Sequence, residues 1–397
     1  MPTATDFILD AGTLYPGGGD APLSDRAVLV QDGRIADLGA RGAFDGLPRL
    51  TCEVVAPGFI DIQINGAGDR QFNDTPDQDG LCGMVLGAAQ GGTAHLLATY
   101  ITAPGQGYRT AMAAVAEAVE AGLPGLLGLH LEGPFISPQR PGIHPPDAIR
   151  GLDADDLAGL CTPADHPRLI TLAPEECAPE TITRLTDAGW RVFLGHSVAD
   201  YETVQRAVAA GLTGATHLFN AMPPLAGRTP GPLGAVLDGT LPFAGIIADG
   251  IHVHPANLAL AHASAGRDRL CLVTDAMLTL GGTATEFTVG AKTVYLRDGR
   301  LAVAEGRLGG AHLAMDAAVR NMIRFCGIPP QDALAMAATT PGRALGLEAE
   351  LGRIAPAYRA SLTLCDASLN ARATISDGVL LHLSPEIEKR ETWAAFS

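Results

Sequence analysis

Apolar positions in the middle of the chain form short runs, and longer stretches with helical spacing separate several of them. Many of the runs are continuously apolar, as expected for parallel strands that are buried on both faces. Segments such as "YRTAMAAVAEAVEAG" and "YETVQRAVAAG" predict helices between them. Eight strands alternating with helices predict a (β/α)8 TIM-like barrel. The eight runs are "GFIDIQING", "TAHLLATYIT", "LLGLHLEGPF", "LITLAPE", "RVFLGHS", "GATHLFNA", "FAGIIADG" and "RLCLVTDAM".

Both ends of the chain have a different pattern, with short apolar runs that Gly and Asp interrupt. "FILDAGTLYP" and "RAVLVQDGRIADLG" lie near the start, and a hairpin signal stands at Gln31-Asp32-Gly33. "GRIAPAYRASLTLCD" and "ATISDGVLLHL" near the end are similar. We therefore expect a small β-sandwich domain built from both termini, residues 1–55 plus 356–397. The metal-dependent barrel catalytic domain would span residues 56–355.

Polar side chains follow nearly every predicted barrel strand on its carboxyl side. Barrel active sites lie at this face, so a ring of such residues indicates a catalytic site rather than packing. The ring consists of Gln63, Asn65, His130, Glu132, Glu175, His196, His217, Asn220, Asp249, His252 and Asp275.

Glu132, His196 and His217 form the strongest candidate metal site in this ring. One carboxylate and two imidazoles suit Zn²⁺ or a similar ion and leave a position open for water. Asp275 follows an apolar strand, where a carboxylate is costly to bury unless it is paired. We interpret it as a general base for a water on the metal, with a helix N-cap as the structural alternative.

Two further features stay ambiguous from the residues alone. Arg228 lies in the Pro- and Gly-rich segment "NAMPPLAGRTPGPLG", where it fits an anion clamp and an ordinary surface arginine equally well. His252 and His254 form an H-x-H pair, which fits a second metal site or a substrate loop.

Composition and charge exclude several classes of function. The 397-residue chain has a formal net charge of −16, which argues against a nucleic-acid partner. It contains no run of eighteen apolar residues, so no membrane span is expected. The seven cysteines lack C-x-x-C spacing, and the N-terminus lacks a basic segment followed by a long apolar run. These features predict a cytoplasmic protein with reduced thiols.

Several long motifs resemble the N-acetylglucosamine-6-phosphate deacetylases of the amidohydrolase superfamily. They run in order along the chain as "APGFIDIQINGAGD", "GLHLEGPFISPQRPGIHPP", "FLGHS", "ATHLFNAMPPLAGRTPG", "IIADGIHVHP" and "LVTDAM". The resemblance implies hydrolysis of an N-acetyl amino-sugar 6-phosphate to the free amine and acetate. It also implies a homodimer in which some substrate contacts cross the interface.

The resemblance assigns a role to individual residues. Glu132, His196 and His217 match the family's metal ligands, and one divalent ion per chain is implied, Zn²⁺ first, with Fe²⁺, Mn²⁺ or Co²⁺ as alternatives. Asp275 matches the catalytic acid/base, and His144 matches the residue that hydrogen-bonds the substrate carbonyl. The implied substrate-binding residues are Ile143, His144, Asn220, Ala221, Arg228, His252, Leu308, Gly309 and Gly310.

Three other functions remain as alternatives. The same chemistry on N-acetylgalactosamine 6-phosphate differs at a single hydroxyl group. A cyclic-amide hydrolase of the superfamily would need two metals and a carboxylated lysine, and no lysine ends a predicted barrel strand. A metal-free binding protein would not need the combination of Glu132, His196, His217 and Asp275.

The first predicted strand carries two amides where the wider superfamily usually has an H-x-H pair of metal ligands. Gln63 and Asn65 lie two residues apart, so they point to the same side of the strand. Amides are poorer ligands for Zn²⁺ than imidazole. We therefore expect a single metal, with both amides left to hydrogen-bond water or a neighbouring ligand.

Overall fold

The computed structural model describes residues 5–385, and all eight predicted barrel strands are present in it. They pair in chain order as a parallel sheet. The segment after the eighth strand hydrogen-bonds to the first strand, since the Asp275 backbone N–H donates to the Gln63 carbonyl at 2.9 Å. The barrel prediction is confirmed. In order, the barrel strands are Phe59–Ile64, Thr93–Ile101, Leu126–Glu132, Arg168–Leu172, Trp190–Leu194, Leu212–Ala215, Phe243–Ile246 and Leu270–Leu272.

Helices connect the barrel strands and turn one apolar side towards them. The helix Pro179–Asp187 starts with proline at its first position and buries Ile182 and Leu185. No helix in the described part of the chain is long and apolar enough to cross a membrane. The α-helices are Gln78–Ala89, Gly107–Glu120, Ala154–Leu160, Pro179–Asp187, Tyr201–Ala209, Gly231–Leu237, Pro255–Ala265, Met315–Cys326, Pro330–Ala337 and Thr339–Leu345, and short 3-10 helices are Pro146–Ala148 and Pro174–Glu176.

Both chain ends contribute to one seven-stranded sheet, as the terminal patterns predicted. The predicted hairpin is present, and Asp32 and Gly33 have φ values of 50° and 70°, as a two-residue type I′ turn requires. The exact bounds of the small domain stay a prediction, and its predicted ends, residues 1–4 and 386–397, lie outside the described residues. Across the sheet the strands are Val379–Leu383, Ala371–Ser376, Leu362–Cys365, Arg49–Pro57, Phe7–Leu14, Leu23–Gln31 and Arg34–Ala40.

The small sheet joins the barrel at the amino-terminal ends of the first two barrel strands. The Gly58 N–H donates to the Ser361 carbonyl at 2.8 Å, and the Thr363 hydroxyl donates to the Gly92 carbonyl at 2.7 Å. The small sheet therefore contacts the end of the barrel opposite the face where the polar ring was predicted.

A three-stranded antiparallel sheet, which the sequence pattern had not led us to expect, follows the eighth barrel strand. Its strands are Glu286–Val289, Lys292–Arg297 and Arg300–Val303, and we call residues 286–310 the β-insert. Alternating polar and apolar positions in "EFTVGAKTVYLRDGRLAV" and the turn at Asp298-Gly299 were its sequence signal. The β-insert packs on the barrel through an apolar cluster formed by Ile101, Ile143, Met277, Leu278, Phe287, Val289, Val294, Leu301 and Val303.

Candidate active site

Four predicted site residues lie at the carboxyl ends of barrel strands. Glu132 is the last residue of the third strand, and His196 and His217 follow the fifth and sixth strands by two residues each. His196, His217 and Asp275 have positive φ values of 49°, 31° and 48°. A left-handed backbone costs a residue with a Cβ about 1–2 kcal/mol, and such conformations cluster at functional sites.

The side chains of Glu132, His196 and His217 converge on one point. Glu132 Oε1 lies 3.1 Å from His196 Nε2 and 2.9 Å from His217 Nε2. The two Nε2 atoms are 3.1 Å apart, so both rings direct the same nitrogen at the same place. Within residues 5–385, this is the single group of three or more His, Cys, Asp or Glu side chains whose ligand atoms lie within 4.8 Å of one another.

The hydrogen bonding around this point fits a divalent cation. His196 Nδ1 is 2.8 Å from the Arg140 carbonyl oxygen, which can only accept, so Nδ1 carries the proton and Nε2 has its lone pair free. Nδ1 of His217 is buried without a partner in the described structure. One carboxylate oxygen and two imidazole nitrogens are ligands that Zn²⁺ and similar ions accept. These residues therefore fit the predicted metal.

Charge interactions keep the carboxylate of Glu132 ionised although it is buried. Burial alone would raise its pKa, but the hydrogen bonds and charges of His196 and His217 hold the pKa well below its ordinary value. A buried carboxylate that stays ionised is the form that a metal ligand needs.

Asp275 lies beside this group and is held by the two amides of the first strand. Asn65 Nδ2 donates to Asp275 Oδ1 at 2.7 Å, and Gln63 Nε2 donates to the same oxygen at 3.2 Å. Gln63 Nε2 is also 3.2 Å from Glu132 Oε1, so Gln63 bridges the two carboxylates. Burial, followed by the negative charge of Glu132, raises the pKa of Asp275 to about 6. Of the two amides, Gln63 thus contacts both carboxylates and Asn65 contacts that of Asp275.

His144 faces the same point from the loop after the third strand. Its ring centroid is 4.4 Å from that of His196. Its Nδ1 is 2.8 Å from the hydroxyl of Thr102, the residue after the second barrel strand. Burial, and then the charge of His196, lower the pKa of His144 to about 3, so its ring is neutral at neutral pH. Where the single hydrogen of the Thr102 hydroxyl is donated to Nδ1, rather than to the Glu132 carbonyl oxygen 3.4 Å away, the neutral ring carries its N–H at Nε2.

One cavity of about 260 Å³ is lined by Glu132, His144, His196, His217 and Asp275. Most predicted substrate-binding residues line it, whereas Arg228 and Gly309 do not. Arg228 is exposed on the turn between Ala226 and Thr229, outside the cavity. The lining residues are Asn65, Ile101, Glu132, Gly142, Ile143, His144, His196, His217, Asn220, Ala221, His252, Asp275, Met277, Arg307, Leu308 and Gly310.

Comparison with known proteins identifies the family. Residues 54–381 match the Amidohydrolase family. The chain belongs to this family. N-acetylgalactosamine-6-phosphate deacetylase from Escherichia coli O157:H7 is 36% identical over 374 residues, which are 90% of this chain and 98% of that protein. N-acetylglucosamine-6-phosphate deacetylase from Homo sapiens is 39% identical over 345 residues, 83% of each chain.

Solved structures agree with this assignment. N-acetylglucosamine-6-phosphate deacetylase from Pasteurella multocida has a TM-score of 0.90 and 34% identity, covering 94% of this chain and 99% of that one. The enzyme from Mycobacterium smegmatis, solved as a mutant in complex with N-acetyl-D-glucosamine-6-phosphate, has a TM-score of 0.86 and 30% identity, covering 95% of this chain and 99% of that one. The resemblance found in the motifs is confirmed, and the chain is an amidohydrolase with a hydrolytic activity.

The two histidines of the H-x-H pair have different positions in this amidohydrolase, one at the cavity and one at a helix start. His252 lines the cavity, and its Nδ1 is 2.6 Å from Asp249 Oδ2. His254 is the N-cap of the helix Pro255–Ala265, where its Nδ1 accepts from the Ala256 N–H at 3.1 Å. Of the two interpretations left open, the substrate loop therefore fits the geometry better than a second metal site.

Four residues of the predicted ring do not line the cavity: Gln63 and Asp249, which hydrogen-bond to the lining residues Asp275 and His252, and His130 and Glu175. His130 is buried between the Thr171 hydroxyl, 2.8 Å from its Nε2, and the Thr99 hydroxyl, 3.3 Å from its Nδ1. Glu175 accepts from the Ser197 hydroxyl at 2.7 Å and from the Val198 N–H at 2.6 Å. Both side chains support the loops and strands behind the site.

Sequence reasoning missed Arg307, Thr102, Ile101 and Met277 as residues at or beside the site. Arg307 lies on the β-insert, whose position over the cavity depends on packing between distant segments. Thr102 follows a predicted strand and could have been included in the polar ring, but a threonine is common at such positions and carries no distinctive signal.

Proposed function

We propose that this amidohydrolase hydrolyses N-acetyl-D-glucosamine 6-phosphate to D-glucosamine 6-phosphate and acetate. The observation that carries the proposal is the convergence of Glu132, His196 and His217 within one cavity, with Asp275 beside them. Relatives from Homo sapiens and Pasteurella multocida that cover most of the chain bear the name of this activity.

The proposed cofactor is one divalent ion per chain, held by Glu132, His196 and His217. When bound, such an ion supplies Lewis-acid polarisation of the amide carbonyl and makes an attacking water more acidic. Zn²⁺ suits the two imidazoles and the carboxylate, and Fe²⁺, Mn²⁺ or Co²⁺ could replace it. A single ion is supported by the side-chain amides of Gln63 and Asn65, which hydrogen-bond to the acids instead of offering imidazole ligands.

Asp275 is the proposed acid/base. Its Oδ1 accepts both amide hydrogen bonds, which leaves Oδ2 to take a proton from the attacking water. The same oxygen then returns the proton to the departing nitrogen, because an amine leaves poorly as an anion. His144 Nε2–H would donate to the developing oxyanion, a contact worth roughly 2.7–4 kcal/mol in other enzymes.

The sugar and its phosphate would occupy the rest of the cavity. Ile143, Asn220, Ala221, Leu308 and Gly310 form its walls, and His252 would contact the substrate beside them.

Arg228 would reach the substrate of a second subunit. This proposal is supported by its exposure and by Leu225 in the same loop, whose surface is 50% exposed. We therefore propose a homodimer, and from the composition a cytoplasmic enzyme.

N-acetylgalactosamine 6-phosphate is the second candidate substrate. The named activity of the relatives from Escherichia coli O157:H7 and Shewanella, at 36% and 39% identity, supports it. The two sugars differ at a single hydroxyl, and discrimination at such a group depends on which cavity residues hydrogen-bond it.

Acetate release from both N-acetylhexosamine 6-phosphates tests the proposal. We expect turnover of the glucosamine derivative to exceed that of the galactosamine derivative, and Asp275→Asn to lower kcat by about 10²–10⁴ while metal content stays unchanged. Faster turnover of the galactosamine derivative would replace the first candidate with the second. Absence of acetate from both sugars, with metal bound, would refute the proposed function.

A further inference from the structure

The cavity contains few positive charges for a dianionic substrate. His252 is within 2.6 Å of the Asp249 carboxylate, which offsets the charge that its ring could carry. Glu132 and Asp275 add negative charge to the wall. Arg307 is the arginine that lines the cavity, and in the described structure it is not in an ion pair. Its guanidinium Nη1 donates to the Gly142 carbonyl at 3.0 Å.

Lys292 supplies a second cation on the same side. Its ammonium group donates to the Ile143 carbonyl at 3.4 Å, one residue along the chain from the Arg307 contact. Burial, and then the positive charge of Arg307, lower the pKa of Lys292. Ile143 lines the cavity, so the ammonium group lies beside the cavity wall. Within residues 5–385 it forms no ion pair either.

The β-insert holds both cations in place. Arg307 lies in the turn after the last strand of the insert, where its carbonyl accepts from the Val303 N–H at 3.0 Å. Lys292 opens the middle strand, and the next apolar residue of that strand, Val294, is fully buried against the barrel. The two cationic side chains therefore lie beside the loop 142–144, where each donates to a carbonyl oxygen.

Carbonyl oxygens offset the two positive charges only in part. The negative charge of Glu305 opposes the effect of Arg307 on the pKa of Lys292 but does not reverse it. A phosphate monoester carries nearly two negative charges, and Arg and Lys are the side chains that bind it most often.

We propose that Lys292 and Arg307 of the β-insert form an anion site at the mouth of the cavity that binds the 6-phosphate of the substrate within one chain. This inference rests on the proposed function for the identity of the ligand. It adds a phosphate contact from the same subunit to the contacts expected from His252 and from Arg228.

Paired kinetics with phosphorylated and unphosphorylated N-acetylglucosamine test the site. In Lys292→Met/Arg307→Met we expect kcat/KM for the 6-phosphate to fall roughly ten- to hundredfold, mainly through KM. The value for the unphosphorylated sugar should change by less than about twofold. Arg300→Met is the matched control, because Arg300 lies on the same insert but does not line the cavity, and its guanidinium donates to the Gly306 carbonyl at 3.3 Å.

Equal losses on both sugars would show that the two cations only support the loop 142–144, and unchanged values on both would also overturn the proposal. If Arg228→Ala alone abolishes phosphate discrimination while the double variant retains it, the phosphate is bound across the subunit interface instead.

Chemical labelling tests the site without turnover. The sequence contains two lysines, Lys292 and Lys389, so modification by an amine reagent can be followed at each by mass spectrometry. Inorganic phosphate should slow modification of Lys292 relative to Lys389, and Arg307→Met should remove this protection. Equal rates at both lysines with and without phosphate would overturn the anion site. This outcome is independent of acetate release, so it is distinguishable from failure of the proposed function.

Discussion

Buried histidines lie beside carboxylates at both ends of the barrel, and the two clusters differ in their hydrogen bonding. At the carboxyl end, His196, His217 and Glu132 direct three ligand atoms to one point. At the amino end, His95 on the second strand contacts the small sheet. Its Nε2 is 2.7 Å from the Ser361 hydroxyl, and its Nδ1 is 3.4 Å from the Ser376 hydroxyl.

In the amino-end cluster, protein groups satisfy the hydrogen bonding of both His95 nitrogens. The Ser361 hydroxyl donates to Asp377 Oδ1 at 3.2 Å, so its oxygen is free to accept from His95 Nε2–H. Asp377 in turn accepts from Arg359 Nε at 2.7 Å. Both nitrogens of the neutral imidazole thus have partners, and the cluster needs no ligand.

In the carboxyl-end cluster, the hydrogen bonding of the histidines is not satisfied in this way. The two Nε2 atoms face each other and the same carboxylate oxygen, and His217 Nδ1 has no partner among the described residues. The comparison shows that residue type does not separate a metal site from a structural site. The arrangement of lone pairs and protons separates the two kinds of site. Three predictions test this difference, in order of expected size.

The largest effect should be the response of stability to metal. Zn²⁺ at about a thousandfold excess over its Kd should raise the free energy of unfolding by roughly 4 kcal/mol. Thermal unfolding with and without a chelator measures this gain. Glu132→Gln should lose most of it, whereas His95→Gln should retain it in full. An equal loss in both variants would show that the two clusters are not functionally distinct.

The next effect is the pH dependence of stability at the amino end. Burial lowers the pKa of His95 to about 4 in the folded state, below the usual 6.5. Above pH 6.5 the ring is neutral in both states. As pH falls from 6.5 to 4, only the unfolded chain gains the proton, so the free energy of unfolding should fall, by about 1–3 kcal/mol.

Denaturant unfolding at several pH values compares this loss with that of His95→Gln, which has no titrating ring. The variant should show a shallower decline across the same range. Parallel curves for the two proteins would mean that His95 does not contribute to the acid sensitivity.

The smallest effect concerns the amide bridge at the carboxyl end. Gln63→Leu removes one donor from Asp275 Oδ1 and one from Glu132 Oε1, while Asn65 keeps its own contact. A lost hydrogen bond to a charged group predicts a fall in kcat of about tenfold. Metal content should stay unchanged. Loss of the metal together with activity would instead place Gln63 among the residues that hold the ion.

Much of the fold could be predicted from the sequence because it depends on local patterns. The continuous apolar runs indicated all eight barrel strands, and the Asp32-Gly33 turn indicated its hairpin. The β-insert was missed because its short strands pack on Ile101 and Ile143, which are far away in the chain. Arg307 and Lys292 were missed with it, since a charged residue on an exposed hairpin has no distinctive pattern.

The sequence by itself determined the strand order and that Glu132, His196, His217 and Asp275 would meet at the carboxyl face, because parallel barrel strands bring their ends together. It also placed two amides, Gln63 and Asn65, on one side of the first strand. Only the tertiary structure decided what these amides contact, that His254 caps a helix, and that Arg228 lies outside the cavity. Those outcomes depend on distances between segments far apart in the chain, and the order of residues does not encode such distances locally.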